Sequence, residues 1–146
     1  MIVNSIEFTE LKKEISETGK SHLDHLAPDI GKAYVIAISR DGCPACEKQK
    51  PEFNELAKTV AEKDDNKVIF ARIHVRQPSG STEESLQSKE LLGHYFYPTN
   101  IILLRTADRG VIELYKSVSP EMTVLKRNID RAIDIAVMIE KQTQKA

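Results

Sequence analysis

The chain has 146 residues, 40% of them hydrophobic and 29% charged, which suits one domain with a proper hydrophobic core. Its 21 basic and 22 acidic side chains nearly cancel, and aromatic residues are few, so neither charge nor composition points to nucleic acid or anionic lipid. No apolar run reaches membrane-spanning length, and the stretch Met1 to Glu7 lacks the basic region and apolar core of a signal peptide, which predicts a cytoplasmic chain with no membrane partner.

A short strand is expected near Ile2–Ile6. Phe8, Leu11 and Ile15 then repeat at helical spacing among Glu and Lys, predicting a helix over 7–18 closed by Gly19. The stretch to Gly31 reads as a loop or short helix. Ala33 to Ile38 is a continuous apolar run of strand length, suited to a central strand buried on both faces. After Cys43 the pattern turns helical, with Phe53, Leu56, Ala57 and Val60 on one stripe. Pro44 suits the first helical position, and Pro51 falls inside the helix, where a kink is expected. "KVIFARIHV" from Lys67 reads as the next strand, and Ser81 with Glu84 has capping-box spacing for a helix to Leu92. Asn100–Leu104 and Val111–Tyr115 read as strands joined across "TADRG". A long helix follows Ser119-Pro120-Glu121, with Leu125, Ile129, Ala132, Ile133 and Ala136 on its buried face. This order argues a mixed sheet covered by helices.

The chain holds two cysteines, Cys43 and Cys46, two residues apart where the central strand gives way to a helix. Two cysteines are too few for a disulfide framework. Three readings are open: an inert packed pair, half of a zinc site completed by His22 and His25, or a disulfide-exchange couple. The zinc reading needs ligands from a separate polar segment. Exchange has the strongest physical basis. Unpaired backbone N–H groups at a helix start stabilise a thiolate, which lowers the Cys43 pKa below the free value of ~8.5. Cys43 would attack a partner disulfide, and Cys46, expected one turn on and more buried, would resolve the mixed disulfide.

At this point the chain resembles the thioredoxin superfamily. "AYVIAIS" leads into "DGCPACEKQKPEFNELA", where that family has a strand, its Cys-x-x-Cys motif and a helix kinked at a proline matching Pro51. "KVIFARIHVRQ" is similar to the following strand, with Arg72 at the position of a family lysine. "YFYPTNIILL" is similar to the segment carrying the family's cis-proline, here Pro98. The resemblance runs from Val35 to Ile139. It implies an α/β thioredoxin-like fold for the single domain 1–146, a central mixed sheet of four to five strands with helices on both faces.

The resemblance also implies a thiol–disulfide oxidoreductase using Cys43 and Cys46, with Gly42, Pro44, Ala45, Tyr97 and Pro98 forming the substrate-binding surface. The Tyr97–Pro98 bond would be cis, and the Tyr97 backbone would pair with a bound peptide. Expected partners are disulfide-containing proteins and a recycling reductase or other thiol donor. A monomer with no metal or cofactor is expected. The departures are specific. Gly42 stands where the family has tryptophan, and Ala37 replaces a buried aspartate that assists proton transfer from the second cysteine, leaving Glu47 and Arg72 as candidates for that task. The Pro-Ala dipeptide gives a Cys-Pro-x-Cys order found in glutaredoxins and bacterial disulfide oxidants. However, "FYP" and "SVSPE" do not match a glutathione site, and Lys67 to Tyr97 is too short for the oxidants' inserted helical domain. A partner-binding or redox-sensing module on the same scaffold is the alternative.

Overall fold

The computed structural model describes residues 2–63, 67–77 and 83–145. In chain order the elements are β1 (Val3–Glu7), α1 (Phe8–Thr18), α2 (His22–Leu26), β2 (Ala33–Arg40), α3 (Pro44–Lys63), β3 (Val68–Val75), α4 (Glu83–Leu92), β4 (Thr99–Arg105), β5 (Val111–Val118) and α5 (Met122–Lys145). The strands form one sheet in the order β1-β3-β2-β4-β5. β1, β3 and β2 run parallel, whereas β4 is antiparallel to β2 and β5 antiparallel to β4. The mixed sheet expected from the sequence therefore has five strands, the short one near Ile2–Ile6 lying at an edge.

Strand alternation divides the core in two. Ala33, Val35 and Ala37 of β2, with Phe70 of β3 and Ile102 and Leu104 of β4, pack against Phe53, Leu56, Ala57 and Val60 of α3 and Leu125, Ile129, Ala132 and Ala136 of α5. Tyr34, Ile36 and Ile38 point the other way, with Ile73, Val75, Ile101 and Leu103, against Phe8 and Leu11 of α1, Leu26 of α2 and Leu92 of α4. Helices therefore cover both faces, which is why β2 reads as an unbroken apolar run.

Local signals fix several ends. Gly19 caps α1 in a left-handed conformation, φ 71°, with its N–H on the Ile15 carbonyl. Ser21 caps α2 by accepting from the Leu23 N–H at 3.0 Å. Pro44 opens α3 as its first residue, and Pro51 lies within it. The β4–β5 connection closes through Thr106 N–H on the Gly110 carbonyl at 2.8 Å. Ser81 of the expected capping box lies outside the described residues. Its partner Glu84 instead accepts from the Arg76 backbone N–H.

Candidate active site

The two cysteines stand where β2, the central strand, runs out and α3 begins. They form a disulfide with Cα atoms 5.2 Å apart. Cys46 lies in the first turn of α3, and its backbone N–H donates to Cys43 Sγ at 3.2 Å. A helix-start N–H thus points at the Cys43 sulfur, an arrangement that favours negative charge there. One expectation is corrected here. Cys46 is not the more buried of the two, since Cys43 is 5% exposed and Cys46 6%. The first turn of α3 returns the chain against the sheet end, so both side chains face inward. Around them Gly42, Pro44 and Ala45 are exposed.

The loop leading to Cys43 is fastened from several sides. Arg40 Nη1 donates to the carbonyls of Asp41 at 2.7 Å and Gly42 at 3.1 Å. Asp41 accepts from His74 Nε2 at 2.7 Å and from the Gln77 backbone N–H at 3.0 Å. The Gln77 bond, followed by the His74 bond, holds the Asp41 carboxyl below the usual carboxylate range. The other nitrogen of His74 meets Glu7 Oε2 at 3.0 Å, which ties the loop to β1. Partial burial opposes charge on His74, but the bonds to Glu7 and Asp41 outweigh it and raise its pKa.

On the other side stands the start of β4. Thr99 pairs with Ile38, so Pro98 lies one residue further towards the cysteine end of β2. The Tyr97–Pro98 bond is cis, Pro98 is buried, and its carbonyl accepts from the Ser119 N–H at 2.9 Å. The Tyr97 ring lies under the Arg40 guanidinium at 5.6 Å and Lys89 Nζ at 5.8 Å. Its hydroxyl meets Ser85 Oγ at 2.9 Å. The structure therefore brings Tyr97 beside the loop that carries Gly42 and Cys43. His94 packs edge-on against Tyr97, with ring centroids 4.9 Å apart, and its Nε2 meets Ser88 Oγ at 2.8 Å. Burial pushes the His94 pKa down to about 4. Just beyond, Tyr95 and Phe96 are exposed by 81% and 66%.

Below the motif, on the α3 face, one row of the sheet reads Arg72, Ala37, Asn100. Arg72 Nη2 donates to Asn54 at 3.1 Å, and its guanidinium lies 5.5 Å over the Phe53 ring. Burial lowers the Arg72 pKa, and the charge of Glu47 partly offsets this. Glu47 itself is exposed. The buried polar groups here are ones the sequence reading passed over: Gln49 donates from Nε2 to Asn100 Oδ1 at 2.7 Å. A signal was available. Gln49 falls on the same stripe as Cys46, Phe53 and Leu56, and Asn100 interrupts the central-strand run "TNIILL".

His22 and His25 lie on α2, against the opposite sheet face from α3. Among the described residues no group of three or more His, Cys, Asp or Glu side chains could hold a metal ion. Among them, too, no helix is long and apolar enough to cross a membrane.

No family model matches the chain, and no curated protein matches it by sequence. Solved structures do. A thioredoxin from Trichomonas vaginalis aligns with a TM-score of 0.58 at 12% identity, covering 89% of this chain and 96% of its own. A thioredoxin from Nicotiana alata gives 0.58 at 17% identity, covering 89% and 93%. A chain from a complex of ferredoxin:thioredoxin reductase with thioredoxin f2 gives 0.55 at 16%, covering 89% and 94%. The protein has the thioredoxin-like α/β fold, with a Cys-x-x-Cys pair at the start of a helix.

Proposed function

We propose that the protein is a thiol–disulfide oxidoreductase that exchanges disulfides with protein substrates through Cys43 and Cys46. The observation that carries this reading is the bonded pair at the start of α3, with the Cys46 N–H directed at Cys43 Sγ. In the reduced protein that N–H and the helix dipole favour a Cys43 thiolate. The thiolate attacks one sulfur of a substrate disulfide. A Cys43–substrate bond forms, and the other substrate sulfur leaves with the electron pair and takes up a proton. Cys46 then loses its proton and attacks Cys43, which restores the internal disulfide and releases the second substrate thiol. Two electrons have passed to the substrate, and a reductase or other thiol donor returns them. The structural neighbour from a complex with ferredoxin:thioredoxin reductase supports a recycling partner of that kind.

The substrate segment would lie across the exposed surface of Gly42, Pro44 and Ala45 and pair with the backbone of Tyr97, next to Pro98. The protein would act as a cytoplasmic monomer without a cofactor. Turnover of a model protein disulfide with a dithiol reductant tests the reading. Catalysis above the uncatalysed rate is expected, and its loss in Cys43→Ser; a wild-type protein no faster than reductant alone overturns it.

A second reading draws on Ala37. With a methyl group where proton transfer would be assisted, the scaffold would serve as a partner-binding or redox-sensing module with slow turnover. Single-turnover oxidation of the dithiol without multiple turnover would favour it.

A further inference from the structure

The buried amide pair below the motif has an unused hydrogen-bonding group. Asn100 is 0% exposed, and among the described residues its Nδ2 has no hydrogen-bond partner, although its Oδ1 accepts from Gln49 Nε2 at 2.7 Å. An unpaired buried N–H is destabilising because its desolvation goes uncompensated. Its place in a well-packed face therefore asks for a partner in another state of the protein.

Position indicates which partner. Asn100 lies opposite Ala37, whose methyl offers no hydrogen bond. Gln49 follows Cys46 by three residues on the buried stripe of α3, and its side chain reaches Asn100 on β4, so the cysteine and Gln49 share the helix face that lies over Asn100. While Cys46 is in the disulfide, its sulfur is neutral and a weak acceptor. Reduction gives a thiol, which becomes a thiolate on losing its proton, and a charged acceptor makes a much stronger hydrogen bond.

We infer that Asn100, held by Gln49, is the neutral hydrogen-bond donor to the Cys46 thiolate of the reduced protein. The thiol gives its proton to solvent water, and the amide stabilises the sulfur anion. The thiolate electron pair then forms the Cys43–Cys46 bond while the Cys43–substrate bond breaks and the substrate sulfur leaves with its electrons. Because an amide does not titrate in the working range, it adds no ionisation of its own to the resolving step. The inference rests on the exchange chemistry proposed above, but thiol titration tests it apart from turnover.

In a Cys43→Ser background, alkylation of Cys46 is followed against pH. Asn100→Leu should move the profile to higher pH by about one unit, a roughly tenfold loss of thiolate at neutral pH. Gln49→Leu should move it the same way by less. A folded Asn100→Leu protein with an unchanged profile overturns the inference. Should that variant fail to fold, the side-chain amide NMR signals of Asn100 in the Cys43→Ser protein decide. They should shift as Cys46 ionises, and signals indifferent to that ionisation overturn the inference. A protein that turns over no substrate yet shows the profile shift refutes the enzyme and still supports the hydrogen bond.

Discussion

At the scale of single residues, direction separates the cysteines, because burial does not. Both are almost inaccessible in the disulfide, but the N–H of one donates to the sulfur of the other. In the reduced protein that N–H would favour a thiolate on Cys43, so on the proposed exchange chemistry Cys46→Ser should accumulate mixed disulfides with partner proteins while Cys43→Ser accumulates none. Non-reducing gels after thiol quenching show this, and equal trapping by both variants would dissolve the assignment. Gly42 raises a different question, since a larger residue would meet little there: among the described residues a Cβ would find only Arg40 Nη1, at 3.8 Å. The constraint is its φ of 65°, a left-handed conformation that an L side chain adopts at a cost of roughly 1–2 kcal/mol. Gly42→Ala should lower the urea midpoint by a corresponding amount. An unchanged midpoint would mean that the loop relaxes freely.

At the scale of elements, legibility followed period and composition. β2 and β4 stood out because both of their faces are buried, so Ala33 to Ile38 and Ile101 to Leu104 are apolar without interruption. α5 was equally plain from its Leu125, Ile129, Ala132, Ala136 stripe. The buried side of α4 was not, because it presents Ser85 and Ser88, which are buried against Tyr97 and His94 through hydrogen bonds. Gln49 and Asn100 are illegible in the sequence for a related reason. A lone polar residue in an apolar run has meaning only through a partner 51 positions away. The ties around Asp41 were equally illegible, since they join β1, β3 and the motif loop through His74. That junction should be pH-sensitive. The His74 pKa is raised in the folded state, so its stabilisation is fully present below the unfolded value of about 6.5. It is lost as pH rises through the higher folded value. His74→Gln should flatten the stability profile on that alkaline side, as read by urea midpoints across pH. A wild-type profile already flat there would refute the tie.

At the scale of the whole molecule, two histidines at the motif end of the sheet set opposite limits on stability. His74 favours the folded state when charged, as just described. His94 favours it when neutral, because it is 3% exposed, bonded to Ser88 and packed on Tyr97 between α4 and β4. Its folded pKa is about 4 against an ordinary imidazole value of 6.5. Unfolding releases the ring to water, so between these values the unfolded chain binds more protons than the folded one, and stability falls as pH falls. A difference of this size corresponds to a loss on the order of 2–4 kcal/mol by the time pH reaches the folded value, a large share of a typical domain's 5–15 kcal/mol. With His74 acting on the alkaline side, stability should peak near neutrality. The loss should also be global. Leu92, two residues before His94, belongs to the core shared by α1, α2 and the sheet, so the strain of charging His94 should reach that core. His94→Leu removes the titrating ring and keeps an apolar filling. It should move the acid unfolding midpoint to lower pH, and histidine NMR titration of the wild type should find one ring ionising near 4. An acid midpoint unmoved by the substitution would place the trigger for acid unfolding in the carboxylates, among them Asp41, whose lowered pKa acts with the same sign at lower pH.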